Sequence, residues 1–176
     1  MAGSGSGHDV VIREREPADD PAIRELNDLA FGGTFEGGLV EELREAFIDA
    51  VELVAIEDGR LVGHILFSAL TVMVDDDAVP TLSLAPMSVH PARQRSGIGS
   101  ALVETGLELA RRREWQAVVV LGHPEFYPRF GFSADLASSL DAPFEGDSFM
   151  ALELVPGALD GDDGLVVYPA AFGLVA

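Results

Sequence analysis

The chain has 176 residues, 48% of them apolar, which is enough for one domain with a real core and too few for two of ordinary size. There is no cysteine and all 11 basic residues are arginine, which excludes disulfides, thiolate metal sites, a Walker lysine and a Schiff-base lysine. The 30 acidic residues bring the net charge to −19, so neither nucleic acid nor an anionic membrane is expected as a partner, since both need basic residues against their phosphates.

The start, residues 1–8, reads as a small flexible tail without the charged and apolar parts of a signal peptide. Residues 9–176 are then expected to form a single cytoplasmic domain. "DVVIREREP" is a strand stopped by Pro17. "ADDPAIRELNDLAF" has acids at a helix start and Ile23, Leu26, Leu29 and Ala30 at helical spacing, and Gly32 and Gly37 are expected to break that helix. A second amphipathic helix follows in "LVEELREAFI". "VELVAIEDGRLVGHILFSALTVMV" reads as two strands about an Asp58-Gly59 turn; its apolar end holds His64 and is too short to span a bilayer as a helix. After the acidic turn "DDDAVP", "TLSLAPMSV" is another strand. "QAVVVLG" is short, continuous and β-branched, the pattern of a strand covered on both faces. "SFMALELV" is a late strand, and "LVVYPAAFGLVA" is expected to be irregular. The sum is an α/β domain, a mixed sheet with helices on both faces.

Between the strands "TLSLAPMSV" and "QAVVVLG" lies "HPARQRSGIGSALVETGLELARRR". Ile98, Ala101, Leu102, Thr105 and Leu109 predict a helix from near Gly97 to about Arg112, and Arg111, Arg112 and Arg113 complement the negative end of its dipole. At its other end the first-turn amides lack intrahelical partners. Gly97 and Gly99 carry no Cβ to keep a phosphate away, and Arg93 and Arg95 add positive charge. The pattern reads as an anion site, and two close glycines at a strand-to-helix turn can also simply ease tight packing. The dinucleotide fingerprint lacks its third glycine here, and the P-loop lacks its lysine.

"MSVHPARQRSGIGSALV" resembles the acetyl-coenzyme A motif of the GNAT superfamily of N-acetyltransferases, with Val89, Pro91, Gln94, Gly97 and Gly99 in the matching positions. "FYPRFGF" is similar to that superfamily's second hallmark through Tyr127, Gly131 and Phe132, and the stretch from "VLGHPEFYPRFGF" to the C-terminal part is similar to its YhbS-like subfamily. The pattern departs at Arg95, where glycine is common, and at Ser96, where a longer side chain is common.

The resemblance implies a mostly antiparallel sheet splayed between two central parallel strands, with acetyl-coenzyme A as co-substrate in the gap. Pro86 has no N–H, so donors are expected from Met87, Ser88 and Val89, with Met87 facing the thioester carbonyl and Val89 the pantetheine arm. Gln94 belongs to the same motif, and the pyrophosphate would rest on the backbone of Arg95, Ser96, Gly97, Ile98, Gly99 and Ser100. Tyr127 stands at the superfamily's general-acid position.

His123, at the carboxyl end of "AVVVLG", is the candidate base, with Glu125 as the alternative; a His-Pro pair is also a common strand ending. His64 is expected to be a packed residue. Glu41 and Glu42 read as solvated surface that can attract a cationic substrate. No two histidines have metal-ligand spacing, and no metal is expected. The acceptor is expected to be a small-molecule or peptide amine. A homodimer is compatible with the sequence and not specified by it. Two classes stay open: an N-acetyltransferase, and a module that holds an acyl-coenzyme A without turnover.

Overall fold

Each apolar run of the sequence becomes a sheet strand or a helix face in a computed structural model that describes residues 9–173. The expected tail, residues 1–8, lies outside the described residues. In chain order the elements are β1 (Val10–Glu14), α1 (Asp20–Phe31), α2 (Phe35–Glu45), β2 (Asp49–Glu57), β3 (Arg60–Val74), β4 (Asp77–Ala78), β5 (Thr81–Val89), α3 (Ile98–Arg112), β6 (Ala117–Leu121), α4 (Ala134–Ala137), β7 (Leu140–Asp141), β8 (Phe149–Glu153) and β9 (Gly164–Val167). The main path of the sheet is β1-β2-β3-β5-β6-β8, antiparallel along that path except where β5 meets β6, with β4 and β9 paired to β3 and β7 parallel to β9. Among the described residues, no helix is long and apolar enough to cross a membrane.

Strand alternation sends one set of side chains to each face. Ile65, Phe67, Leu82 and Leu84 pack under Ile98 and Leu102 of α3. Val54 and Leu66 point the other way and pack on Ile23 of α1 and on Leu39, Val40 and Leu43 of α2. β6 is buried on both faces from Ala117 to Val120, as its unbroken apolar run requires.

Two glycines set how low α3 sits. A Cβ on Gly63 of β3 would lie 2.9 Å from Ile98 Cγ2 and 3.0 Å from Leu102 Cδ1, and one on Gly106 would overlap the buried ring of Phe67. The far end of α3 is tied down by Arg113, whose guanidinium donates to Ala50 O at 2.7 Å and pairs with Glu14 at 2.5 Å.

The segment expected to be irregular contains β9, which pairs antiparallel with the far half of β3, Thr71 opposite Val167. Four residues are too few to show an alternation, and the pairing depends on β3 being long enough to offer a second edge. Gly37 does not break a helix. It lies inside α2, where a Cβ would stand 2.7 Å from Asp28 Oδ1 and against the Arg24 side chain, so it serves the close approach of α2 to α1. Gly32, at φ 73°, does end α1, its N–H donating to Asp28 O.

His64 is packed, as expected, within a buried polar chain. Its Nε2–H donates to Glu52 Oε2 at 2.7 Å, and Arg44 holds the same carboxylate at 2.5 and 3.0 Å. Asn27 Nδ2 donates to Ile23 O and to His64 Nδ1, which leaves the imidazole neutral with its proton on Nε2. Burial alone would raise the Glu52 carboxyl, but the hydrogen bonds from His64 and Arg44 outweigh it and hold the group down at about 2. Burial lowers His64, against the pull of Glu52.

Two outcomes follow from this packing. Gly63→Val lifts the first turn of α3 and destabilises the fold by about 1–3 kcal/mol, read as a lower urea midpoint. For His64 the sign is fixed by its lowered value: the folded state resists a proton that the unfolded state accepts, so its contribution is present above pH about 6.5 and is lost as pH falls below it, by at most about 1.4 kcal/mol per pH unit. Glu52 adds a second loss as pH falls below about 4.5 toward 2. Melting curves of wild type and His64→Leu therefore converge as the pH is lowered from 7.5 to 5.5; a constant difference removes the neutral-histidine assignment.

Candidate active site

The ladder between β5 and β6 runs from Thr81 opposite Ala117 to Leu84 opposite Val120 and stops. On the other side β5 stays paired with β3, with one irregularity: Ala85 and Pro86 together stand against Leu66. The extra residue is a bulge, which increases twist and turns the end of β5 away from β6. The Ala85–Pro86 peptide is cis.

The register settles which amides face the gap. His90 N–H donates to Val62 O, so Ser88, opposite His64, is the next residue that exchanges hydrogen bonds with β3. Met87 and Val89 therefore direct their N–H and C=O groups into the gap. Val89 confirms this: its carbonyl accepts from Gln94 Nε2, on the side away from β3, at 3.3 Å. Ser88 has no backbone donor to offer there. The residue lines the cavity, and its buried Oγ has no hydrogen-bond partner.

Beside the gap, α3 begins at Gly97, at φ 90°, with no side chain capping it. The first intrahelical bond is Ala101 N–H to Gly97 O, so the N–H groups of Ile98, Gly99 and Ser100 have no partner within the helix. No atom lies within 4 Å of a Cβ built on Gly97. Gly97, Gly99, Ser100, Gln94 and Arg95 line the cavity. Ser96 and Ile98 do not: the Ser96 hydroxyl donates to Arg93 O, and the Ile98 side chain is in the core. Arg95 has φ 63°, a left-handed conformation that a glycine would take without strain. Arg93 is paired with Glu57 at 2.7 Å, which leaves Arg95 as the cation of this loop without an ion pair among the described residues.

Met87, Ser88, Val89, His123 and Tyr127 all line the same cavity, of about 1190 Å³, as Gln94, Arg95, Gly97, Gly99 and Ser100. Tyr127 is 6% exposed and is held edge-on by Phe126 at 4.9 Å and Phe132 at 5.7 Å. Gly122 leaves room for its ring, since a Cβ there would overlap it. No hydrogen-bond partner meets its hydroxyl among the described residues, and burial pushes the phenol up to about 12. His123 and Glu125 are exposed and line the cavity beyond the end of β6. Arg129 stacks over Phe126 at 4.9 Å. Glu41 pairs with Arg24 at 2.8 Å, and the acid of α2 that reaches the cavity wall is Glu36.

Sequence reasoning missed the other half of the wall: Phe31, Phe35, Phe144, Tyr168 and Phe172. These residues come from three distant segments, and no local spacing joins them.

The comparisons with known proteins agree with this geometry. The family model described as the acetyltransferase (GNAT) domain matches residues 11–134. The uncharacterized N-acetyltransferase YhbS of Escherichia coli is 33% identical over 166 residues, 93% of this chain and 98% of that protein. Its crystal structure in complex with CoA superposes with a TM-score of 0.86, at 32% identity, over 97% of this chain and 95% of that one. YjhQ, another uncharacterized N-acetyltransferase of E. coli, is 39% identical over 127 residues, covering 71% of this chain and 70% of that protein. A GNAT family acetyltransferase from Brucella melitensis, solved with acetyl-CoA, superposes with a TM-score of 0.77 at 36% identity, covering 94% of this chain and 99% of that one. With its splayed sheet, its uncapped α3 and a family match over most of its length, the chain belongs to the GNAT acetyltransferases.

Proposed function

We propose that the protein transfers the acetyl group of acetyl-CoA to a primary amine by direct attack. The observation that carries this is the parting of β5 from β6, which turns the Met87 and Val89 amides into an open gap beside the uncapped end of α3. Crystal structures of relatives with CoA and with acetyl-CoA support the choice of donor. The residues fit such a molecule. Free amides at Ile98, Gly99 and Ser100, the open side of Gly97 and the unpaired Arg95 suit a pyrophosphate. Val89 suits an amide of the pantetheine arm.

Each need of the reaction then has a group. Met87 N–H meets the negative charge that builds on the thioester carbonyl oxygen. The amine nitrogen forms a bond to that carbon and its surplus proton passes to His123, directly or through water. The carbon–sulfur bond breaks, Tyr127 gives its proton to the departing thiolate, whose own conjugate acid has a pKa of about 8.5, and the phenolate left behind, the stronger base, is reprotonated as the proton on His123 is released to solvent. Buried and raised to about 12, Tyr127 stays protonated through the whole neutral and mildly alkaline range.

Tyr127→Phe keeps the ring and removes the proton. It lowers kcat by about 10²–10⁴-fold with the dissociation constant for acetyl-CoA held, as read by thiol release and calorimetry. Binding of acetyl-CoA with no thiol release from any amine, in wild type and Tyr127→Phe alike, identifies a non-catalytic acyl-coenzyme A module instead.

Gly97→Glu and Gly97→Ala share the backbone strain at φ 90° and differ in charge. The glutamate variant binds CoA about tenfold more weakly than the alanine variant, and the difference shrinks above roughly 0.5 M salt. Equal dissociation constants remove the phosphate from this turn.

A further inference from the structure

The groups assigned to acetyl-CoA lie in the gap and on the α3 face of the sheet, and the cavity continues to the opposite face. There its wall is aromatic. Phe144 and Tyr168 meet edge to face at 5.3 Å, and Tyr168 and Phe172 at 5.1 Å. Phe35 Cε2 comes within 3.9 Å of a Cβ built on Gly173, next to Phe172, which carries the wall across to the α1–α2 junction and Phe31. Phe31 and Phe35 are 45% and 56% exposed, an unusual placement for two phenylalanines that serve no core. Burial raises the Tyr168 phenol well above its ordinary value, with Ser83 of β5 pulling the other way, so the group stays neutral and offers a ligand no charge.

Charge and polarity narrow the ligand further. Glu36 is the only charged side chain on this half of the wall among the described residues. The cavity's arginines, Arg93, Arg95 and Arg129, belong to the loop before α3 and to the segment after β6. A carboxylate held among the rings would be desolvated with no cation to meet it. Among the residues that line the cavity, Ser88 follows Met87 directly and carries a hydroxyl that is buried and has no hydrogen-bond partner. Ser88 shares its face with its cross-strand neighbour His64, the face of α1 rather than of α3. A buried hydroxyl left unpaired costs about 1–3 kcal/mol, and a ligand N–H placed there recovers it.

We propose that the acceptor is an apolar primary amine, one with an aryl or alkyl body and no carboxylate. Its body lies among Phe31, Phe35, Phe144, Tyr168 and Phe172, and its nitrogen donates to Ser88 Oγ while its lone pair faces the thioester carbon. This rests on the transfer reaction of the previous section. An α-amino acid is disfavoured by its carboxylate, and a polyamine by a second ammonium that must be desolvated against rings with Glu36 as its single partner.

The test is thiol release from acetyl-CoA with 2-phenylethylamine, methylamine, phenylalanine and spermidine, alongside calorimetric titration of the same amines into the CoA-bound protein. The kcat/KM for 2-phenylethylamine is expected to exceed that for phenylalanine by about 100-fold or more. Phe35→Ala, a change at an exposed ring, is expected to cut the preference for 2-phenylethylamine over methylamine about tenfold. Turnover that favours phenylalanine or spermidine, or a preference unmoved by Phe35→Ala, overturns the acceptor assignment and leaves the transfer reaction standing. Binding of 2-phenylethylamine with no thiol released overturns the transfer reaction and keeps the chamber as a site for apolar amines.

Discussion

Backbone hydrogen bonding is left unfinished at one place inside the sheet, and the site is built around that deficit. After Leu84 and Val120 the β5–β6 ladder ends, although β5 runs on to Val89 with its β3 side still paired. Unpaired main-chain groups in a protein interior cost about 1–3 kcal/mol each, so folds rarely leave them. Here the bulge at Ala85 and Pro86 produces the parting, and Pro86 removes one donor that would otherwise go unmet. Gln94 covers the Val89 carbonyl from outside. Met87 and Val89 N–H are left facing the gap, where the proposed co-substrate would complete the sheet as its missing strand.

A second unfinished set sits at the start of α3, and the same economy would let so acidic a protein hold the proposed polyanion. With a net charge of −19 and no lysine, the chain has little positive charge to spend. Amide dipoles supply it instead, because the first turn of a helix presents its N–H groups and the positive end of its dipole without any basic side chain. That works only if the helix cannot recede. Gly63 lets Ile98 and Leu102 settle onto β3, Gly106 lets the middle of the helix rest on Phe67, and Arg113 anchors the far end to β1 and β2.

This half of the site was legible in the sequence because it is made of backbone in a continuous stretch. The register of "TLSLAPMSV", the proline, the glycines at 97 and 99 and the periodic helix after them all lie within thirty-odd residues of one another. Local rules read such a segment well. They fail where a feature depends on a distant partner: β9 exists because β3 is long, and Gly37 is inside α2 because Arg24 and Asp28 are close by in space. Ser88 shows the limit from the other side. It could be placed in the gap by sequence, yet only the pairing with His64 reveals that its amide is spent on β3 and its hydroxyl is not.

The acceptor half is assembled from side chains of separate elements, so its geometry depends on what fixes those elements together. The buried polar chain does this. Asn27 of α1 bonds to His64 of β3, His64 to Glu52 of β2, and Glu52 to Arg44 of α2. Arg44 also lies 3.4 Å from Asp20, at the start of α1. Replacing such a chain with apolar side chains of equal volume can be neutral for stability. It would not, however, fix one placement of the α1–α2 pair, because apolar contacts are non-directional and tolerate sliding. Hydrogen bonds of 2.5 to 3.2 Å do not. Phe31, Phe35 and Glu36 hang from the junction of those two helices, so the polar network under the sheet determines where the acceptor wall stands relative to the thioester. Under the proposed reaction the donor is gripped by main chain that most substitutions leave in place, while the choice of acceptor would rest on a few aromatic side chains and on the network that positions them.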